Sequence, residues 1–198
     1  MRARRASRLM LALLLLPIAA ACNTNKNEAI APTSTSSAPP PPQSDTTTNS
    51  LPAAPPVAAP LDARHFELDP CDSLTAKQQR TLGIKSAERI DFTRDGQACH
   101  FVRRPGDTVL VVFASNVGNG LSSRYIEHSS GTWNQWEPTE IDGYPALVFG
   151  TSERGECNFA VGITDSLYYW ATVDDPDERC PRGRAVAAAV LTTIKAGN

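Results

Sequence analysis

The sequence predicts an α+β fold: an antiparallel sheet of about six strands, with a short N-terminal helix and a longer C-terminal helix packed on it and two disulfides. Three observations carry that prediction. Short segments of strand character follow one another, separated by turn residues, with no long helix between them; such runs pair antiparallel and leave their helices to one side. The last forty residues hold the clearest pattern, an alternating strand, an aromatic and β-branched strand and then an Ala-rich helix with one apolar stripe. Four cysteines in the folded part of the chain sit beside helix starts and strands, where they can tie one to the other.

The length of 198 residues allows one domain with appendages. Residues 1–21 read as an export signal rather than structure. Arg2, Arg4, Arg5 and Arg8 form a basic head, and Leu9 to Ile18 an apolar run too short for a mature membrane span. Ala19-Ala20-Ala21-Cys22 then resembles a lipoprotein processing site, at which Cys22 is acylated and becomes the mature N-terminus. Ala19 stands where Leu is commonest, and a plain secretory signal is the competing reading. Removing residues 1–21 takes away four arginines and no acids, which moves the net charge from −2 to −6. An acidic mature chain with no Lys/Arg cluster is a poor partner for nucleic acid.

From Cys22 to residue 65 the composition collapses into Pro, Ser, Thr and Ala, and Ala38-Pro39-Pro40-Pro41-Pro42 cannot enter a packed core. This segment reads as a spacer. A coil of some forty residues spans roughly 35–40 Å, a fully extended rod about 130 Å. Residues 66–198 are then the single folded domain.

Order returns at Phe66-Glu67-Leu68-Asp69-Pro70-Cys71. Thr75 and Gln78 make a capping box for a short helix, and Gly83 suits its left-handed stop. Ala98 to Arg103 reads as a strand, Pro105-Gly106 as a turn, and Thr108 to Phe113 as a nearly all-apolar central strand. Leu121 to Ile126 suits one or two helical turns with Leu121 and Tyr125 on one face. A weaker strand ends at Ile141, and Asp142-Gly143 is a hairpin signal leading into Tyr144 to Phe149. Cys157 to Thr164 alternates strictly, Asp165-Ser166 turns the chain, and Leu167 to Val173 follows as an aromatic, β-branched strand. Past the acidic run Asp174 to Glu178 come Cys180 and Pro181, the latter suited to a first helical turn. Val186, Val190 and Ile194 form the apolar stripe of the closing helix.

With Cys22 assigned to lipid, Cys71, Cys99, Cys157 and Cys180 remain, an even number in an exported chain. Of the three possible connectivities, Cys71–Cys99 and Cys157–Cys180 each join a helix start to a nearby strand. Zinc is disfavoured because no C-x-x-C spacing occurs.

The ordered set Asp69-Pro70-Cys71, Leu74-Thr75, Leu82-Gly83, Cys99, Gly120-Leu121 before Tyr125, Gly143-Tyr144-Pro145-Ala146, Cys157 and Cys180 resembles the DUF3558 family of actinobacterial lipoproteins. The resemblance spans about residues 67–195, with Phe101 where the family often carries Trp. It implies a lipid-anchored α+β domain and supplies no catalytic residues.

No catalytic, cofactor or metal constellation stands out. His65, His100 and His128 are scattered, and there is no G-x-S-x-G elbow or phosphate loop. The run Asp174 to Glu178 has no EF-hand spacing and reads as a solvated loop ahead of a helix. The remaining feature is aromatic: Trp133, Trp136, Tyr168 and Trp170 are candidates for an exposed surface that binds a peptide, glycan or lipid. The chain is therefore expected to be a non-catalytic binding or sensor module. Such a module would be displayed at the outer face of the cell membrane, its partners being the membrane, through the anchor, and an envelope protein, glycan or lipid. The alternatives are an accessory subunit of an envelope or secretion machine and, third, an envelope enzyme without a recognisable motif.

Overall fold

The computed structural model describes residues 51–91, 93–150, 155–174 and 180–197. Seven strands form one sheet: β1 (Ser86–Ile90), β2 (Gln97–Arg104), β3 (Asp107–Phe113), β4 (Gln135–Ile141), β5 (Tyr144–Gly150), β6 (Glu156–Gly162) and β7 (Tyr168–Asp174). Their order is β1-β2-β3-β7-β6-β5-β4, every pair antiparallel. The helices are α1 (Arg64–Leu68), α2 (Ala76–Thr81), α3 (Ser122–Ser129) and α4 (Pro181–Ala196), with a 3-10 turn at Pro70–Ser73. The α+β class, the antiparallel sheet and the flanking helices agree with the sequence reading. The seventh strand is β1. Its residues Ser-Ala-Glu-Arg-Ile are nearly all exposed, so it has no buried face to impose an alternating pattern.

One face of the sheet is the main core. Cys99, Phe101, Val109, Val111, Phe113, Phe159, Val161, Tyr169 and Ala171 point into it. The stripe of α4 closes over them: Val186, Val190 and Ile194 are buried as expected, with Ala187 and Leu191. Gly183 permits that approach, because a Cβ there would lie 3.0 Å from Cys157 Sγ and 3.3 Å from the Phe159 ring. The capping box of α2 forms, and Gln78 goes further: its Nε2 donates to Ala189 O at 2.8 Å, which fastens α2 to α4.

Both disulfides have the expected pairing, Cys71–Cys99 and Cys157–Cys180. The first holds the 3-10 turn to β2, the second the start of α4 to β6. Asp142 and Gly143 both take positive φ, 49° and 81°, which makes the tight hairpin turn between β4 and β5. The outer strand β4 carries Glu137, Pro138 and Glu140, which discourage pairing with another chain at that edge.

Two expectations are corrected. Helices were expected on one side of the sheet, but α3 packs on the opposite face. There Leu121 joins Ala114, Leu147, Phe149, Ala160 and Tyr168 in a second apolar cluster. Residues 51–65 were assigned to the spacer, yet they lie on the domain. Ala54 N donates to Ser122 Oγ, Val57 N to Asp165 Oδ1 and Leu61 N to Ile163 O, while Tyr144 Oη donates to Ala59 O at 2.7 Å. Composition misled because few side chains here are apolar enough to mark a core; backbone hydrogen bonds and the buried Val57, Ala63 and Phe66 do the anchoring.

Candidate functional site

On the second face the register lines up a row across four strands. Trp136 of β4 is opposite Phe149 of β5, which is opposite Asn158 of β6, which is opposite Thr172 of β7. One step along the same face lies the pair Ala160 and Trp170. Small and polar residues at Asn158 and Ala160 leave a depression, flanked by Phe149 and Trp170. Above it stand α3, the loop carrying Trp133, and the β1–β2 loop carrying Arg94 and Asp95. Together they enclose a cleft of about 620 Å³ lined by Arg94, Asp95, Arg124, Trp133, Phe149, Asn158 and Trp170, with Glu127 and Thr132 at its side. That volume falls in the usual range of about 300–1,000 Å³ for small-molecule sites.

Arg124 is the centre of this arrangement. Its side chain is only 8% exposed, and its guanidinium pairs with Asp95 through Nη2 and with Glu127 through Nη1 at 2.7 Å. Asp95 also accepts a hydrogen bond from Trp170 Nε1 at 3.1 Å. The guanidinium carbon sits 5.3 Å from the Phe149 ring, 5.4 Å from Tyr168 and 5.8 Å from Trp170. Burial works against this charge, but the neighbouring Tyr168, Glu127 and Asp95 outweigh it, and the Arg124 pKa ends above its ordinary value. The ion is thus fully committed, wrapped by two carboxylates and three ring faces.

The β1–β2 loop is held where Asp95 can reach. Thr93 N and Gly96 O form a tight turn, Asn116 N donates to Asp95 O, and Gly96 N donates to Thr93 Oγ1. Gly96 is required at that point, since a Cβ would fall 1.9 Å from Phe113 O. On the far side, Thr172 Oγ1 donates to Asn158 Oδ1, which leaves the Asn158 amide nitrogen for other acceptors.

Three buried polar atoms here have no hydrogen-bond partner: Arg124 Nε, Trp133 Nε1 and Tyr168 Oη. The Ser123 hydroxyl lies near Tyr168, but its proton goes to Gly120 O at 2.8 Å and no well-formed bond closes onto Oη. Burial pushes the Tyr168 pKa up to about 12, against small opposing pulls from Arg124 and Ser123.

Of the aromatic residues singled out in sequence, the structure brings Trp133 and Trp170 together in the cleft and separates the other two from it. Trp136 stacks on His128, centroids 4.2 Å apart and planes within 2°, with Tyr125 at its edge. Tyr168 is fully buried beneath Arg124. The expected exposed aromatic surface is therefore corrected to a half-covered one, because α3 lies over it. Sequence reasoning missed Arg124, Asp95, Glu127 and Asn158. A signal for Arg124 existed: it sits at helical spacing between Leu121 and His128, on the same stripe as Tyr125.

Among the described residues no group of three or more His, Cys, Asp or Glu is placed to hold a metal ion, and no helix is long and apolar enough to cross a membrane. The acidic run past Asp174, and Cys22, lie outside the described residues. The two disulfides point to an oxidising, extracytoplasmic setting. A family model described as a protein of unknown function, DUF3558, matches residues 17–193. No curated protein and no solved structure matches the chain.

Proposed function

This chain belongs to the DUF3558 family, and we propose that it is a non-catalytic binding module, anchored through lipid on Cys22 at the outer face of the cell membrane. The anchor reading rests on the basic and apolar leader that ends in small residues before Cys22, and the family match runs across that cysteine.

The observation that carries the binding reading is the cleft on the second sheet face. It joins ring faces to unspent hydrogen-bonding capacity, the combination typical of ligand pockets. Binding is favoured over catalysis because both carboxylates in the cleft are tied down: Asp95 by Arg124 and Trp170, Glu127 by Arg124. A general acid or base must be able to exchange a proton with a substrate, and these two are spent on an ion pair.

The test is photo-crosslinking in intact cells. A crosslinking residue replacing the exposed Arg94 at the cleft rim should capture a discrete species. One replacing Lys85, which precedes β1 away from the cleft, should not. Equal capture at both positions, or at neither, would remove the cleft as the binding site. The anchor is tested separately: Cys22→Ala should leave the protein unprocessed or outside the membrane fraction, and membrane association unchanged by that substitution would sink the lipid assignment.

A further inference from the structure

We infer that the ligand class of this cleft is a neutral saccharide, an inference that rests on the cleft being the binding site. Charge is the first argument. Asp95, Glu127 and Arg124 together carry one net negative charge, and Arg94 at the rim cancels it. An anion entering would face two carboxylates whose neutralising partner is already shared between them. A cation would face Arg94 and find the charge of each carboxylate already countered by Arg124. An uncharged ligand meets neither penalty.

Shape and surface give the second argument. Trp133 and Trp170 line the cleft as partly exposed aromatic surface, while the Phe149 ring is 2% exposed and lies against Arg124. The face of such a ring is electron-rich and attracts C–H bonds polarised by oxygen on the same carbon, the kind that cover the flat side of a pyranose.

The third argument is the polar inventory. The Asn158 amide nitrogen is a donor, and the carboxylate oxygens retain accepting capacity. A sugar hydroxyl donates and accepts through one oxygen, so a row of them can serve this mixed set, whereas a hydrocarbon chain would strand every polar group. The volume of about 620 Å³ gives room for a short oligosaccharide.

The experiment uses the full chain in a detergent that has no sugar headgroup, with tryptophan fluorescence and calorimetry as readouts. The probes are cellotriose, maltotriose, mannotriose and the N-acetylglucosamine trimer, with the galacturonic acid trimer as anion and the glucosamine trimer as cation. At least one neutral trisaccharide should bind saturably in the micromolar to millimolar range, with both charged trimers about tenfold weaker or worse. Trp170→Ala should abolish the fluorescence response. Trp136→Phe, whose ring lies outside the cleft, should keep binding within about twofold. Arg94→Ala, an exposed change that folding tolerates, should strengthen binding of the glucosamine trimer relative to the galacturonic acid trimer. No response to any neutral probe up to about 10 mM, or a charged trimer binding more tightly than all of them, overturns the saccharide assignment. In that case capture at position 94 in cells shows that the cleft stands with another ligand; its absence shows that both readings fall.

Discussion

Tyr168 and Tyr169 are neighbours in sequence and opposites in environment. Strand geometry sends them to different faces, and both are fully buried. Tyr169 Oη donates to Ala187 O at 2.6 Å, while Tyr168 Oη has no bond of good geometry. Tyr169→Phe should therefore cost about 1 kcal/mol, and Tyr168→Phe should be neutral or stabilising by a similar amount, because an unmade buried hydrogen bond carries only its desolvation cost. Urea denaturation of the two variants checks this. The same pair sets an alkaline limit. The unfolded chain gives up a tyrosine proton near pH 10, but burial holds the Tyr168 proton to about 12 and that of Tyr169 well above its ordinary value. The folded state binds more protons in that window, so stability is complete below pH 10 and falls as pH rises toward 12, by on the order of 2–3 kcal/mol for Tyr168 alone. Tyr168→Phe should make the pH 10 to 12 loss visibly shallower; an unchanged slope would refute the assignment. Arg124 is the residue least open to change. Arg124→Met leaves Asp95, 18% exposed, with the hydrogen bond from Trp170 Nε1 and should cost about 3–5 kcal/mol, the price of breaking a buried pair from one side. Glu127, 40% exposed, turns to solvent.

At the scale of elements, α4 is where two fastenings converge. Its apolar stripe covers β6 and β7, and Cys157–Cys180 fixes where it starts. Cys180 itself takes a left-handed backbone, φ 56°, directly before Pro181. That conformation is costly for a residue with a Cβ. Replacing both Cys157 and Cys180 by Ala releases the constraint of a loop with sequence separation 23, about 3 kcal/mol by loop closure. Val190→Asp places a charge in a position with no exposure and should cost at least as much. Thermal melts of the two variants should each fall well below the parent; a melt within a few degrees for Val190→Asp would mean the helix packs elsewhere. The segment before α1 behaves as a further element. Tyr144→Phe removes its bond to Ala59 O and should loosen residues 54–61, read as faster amide exchange there with little change in the core strands.

For the whole molecule, the sheet carries two cores of unequal character. The face under α4 is apolar and closed; the face under α3 mixes a small apolar cluster with a buried ion pair and a cleft. The closed core and the cleft are thus separated by the thickness of one sheet, which keeps the side chains of the cleft out of the main core. Asp175→Ala, in the acidic run, should barely move the melting temperature with or without added calcium, since a solvated acid ahead of a helix gains only about 0.3–1 kcal/mol from its dipole. A calcium-dependent rise in the parent that Asp175→Ala removes would make that run a metal site.

What the sequence determined by itself is the local and the covalent. Alternation marked the strand from Cys157-Asn158-Phe159 onward; Asp142-Gly143 marked a hairpin and with it the strand from Tyr144; Thr75 and Gln78 marked a helix start; and cysteine placement led to the pairing seen. Each of these signals is carried by residues close together in the chain. What only the tertiary structure decided depends on register and on groups far apart. β1 has no side-chain pattern, because it is held by backbone pairing to β2 at an exposed edge. The strap from Leu51 to Ala63 is held by hydrogen bonds to α3 and to the β6–β7 loop, more than sixty residues away, which composition does not encode. Asp95, Arg124 and Trp170 come from a loop, a helix and a strand, and nothing in their spacing announces that one carboxylate will serve both partners. A buried charge can be recognised only when its partners are known, since its stability rests on desolvation set against pairing, and that balance exists only once the sheet has brought all three together.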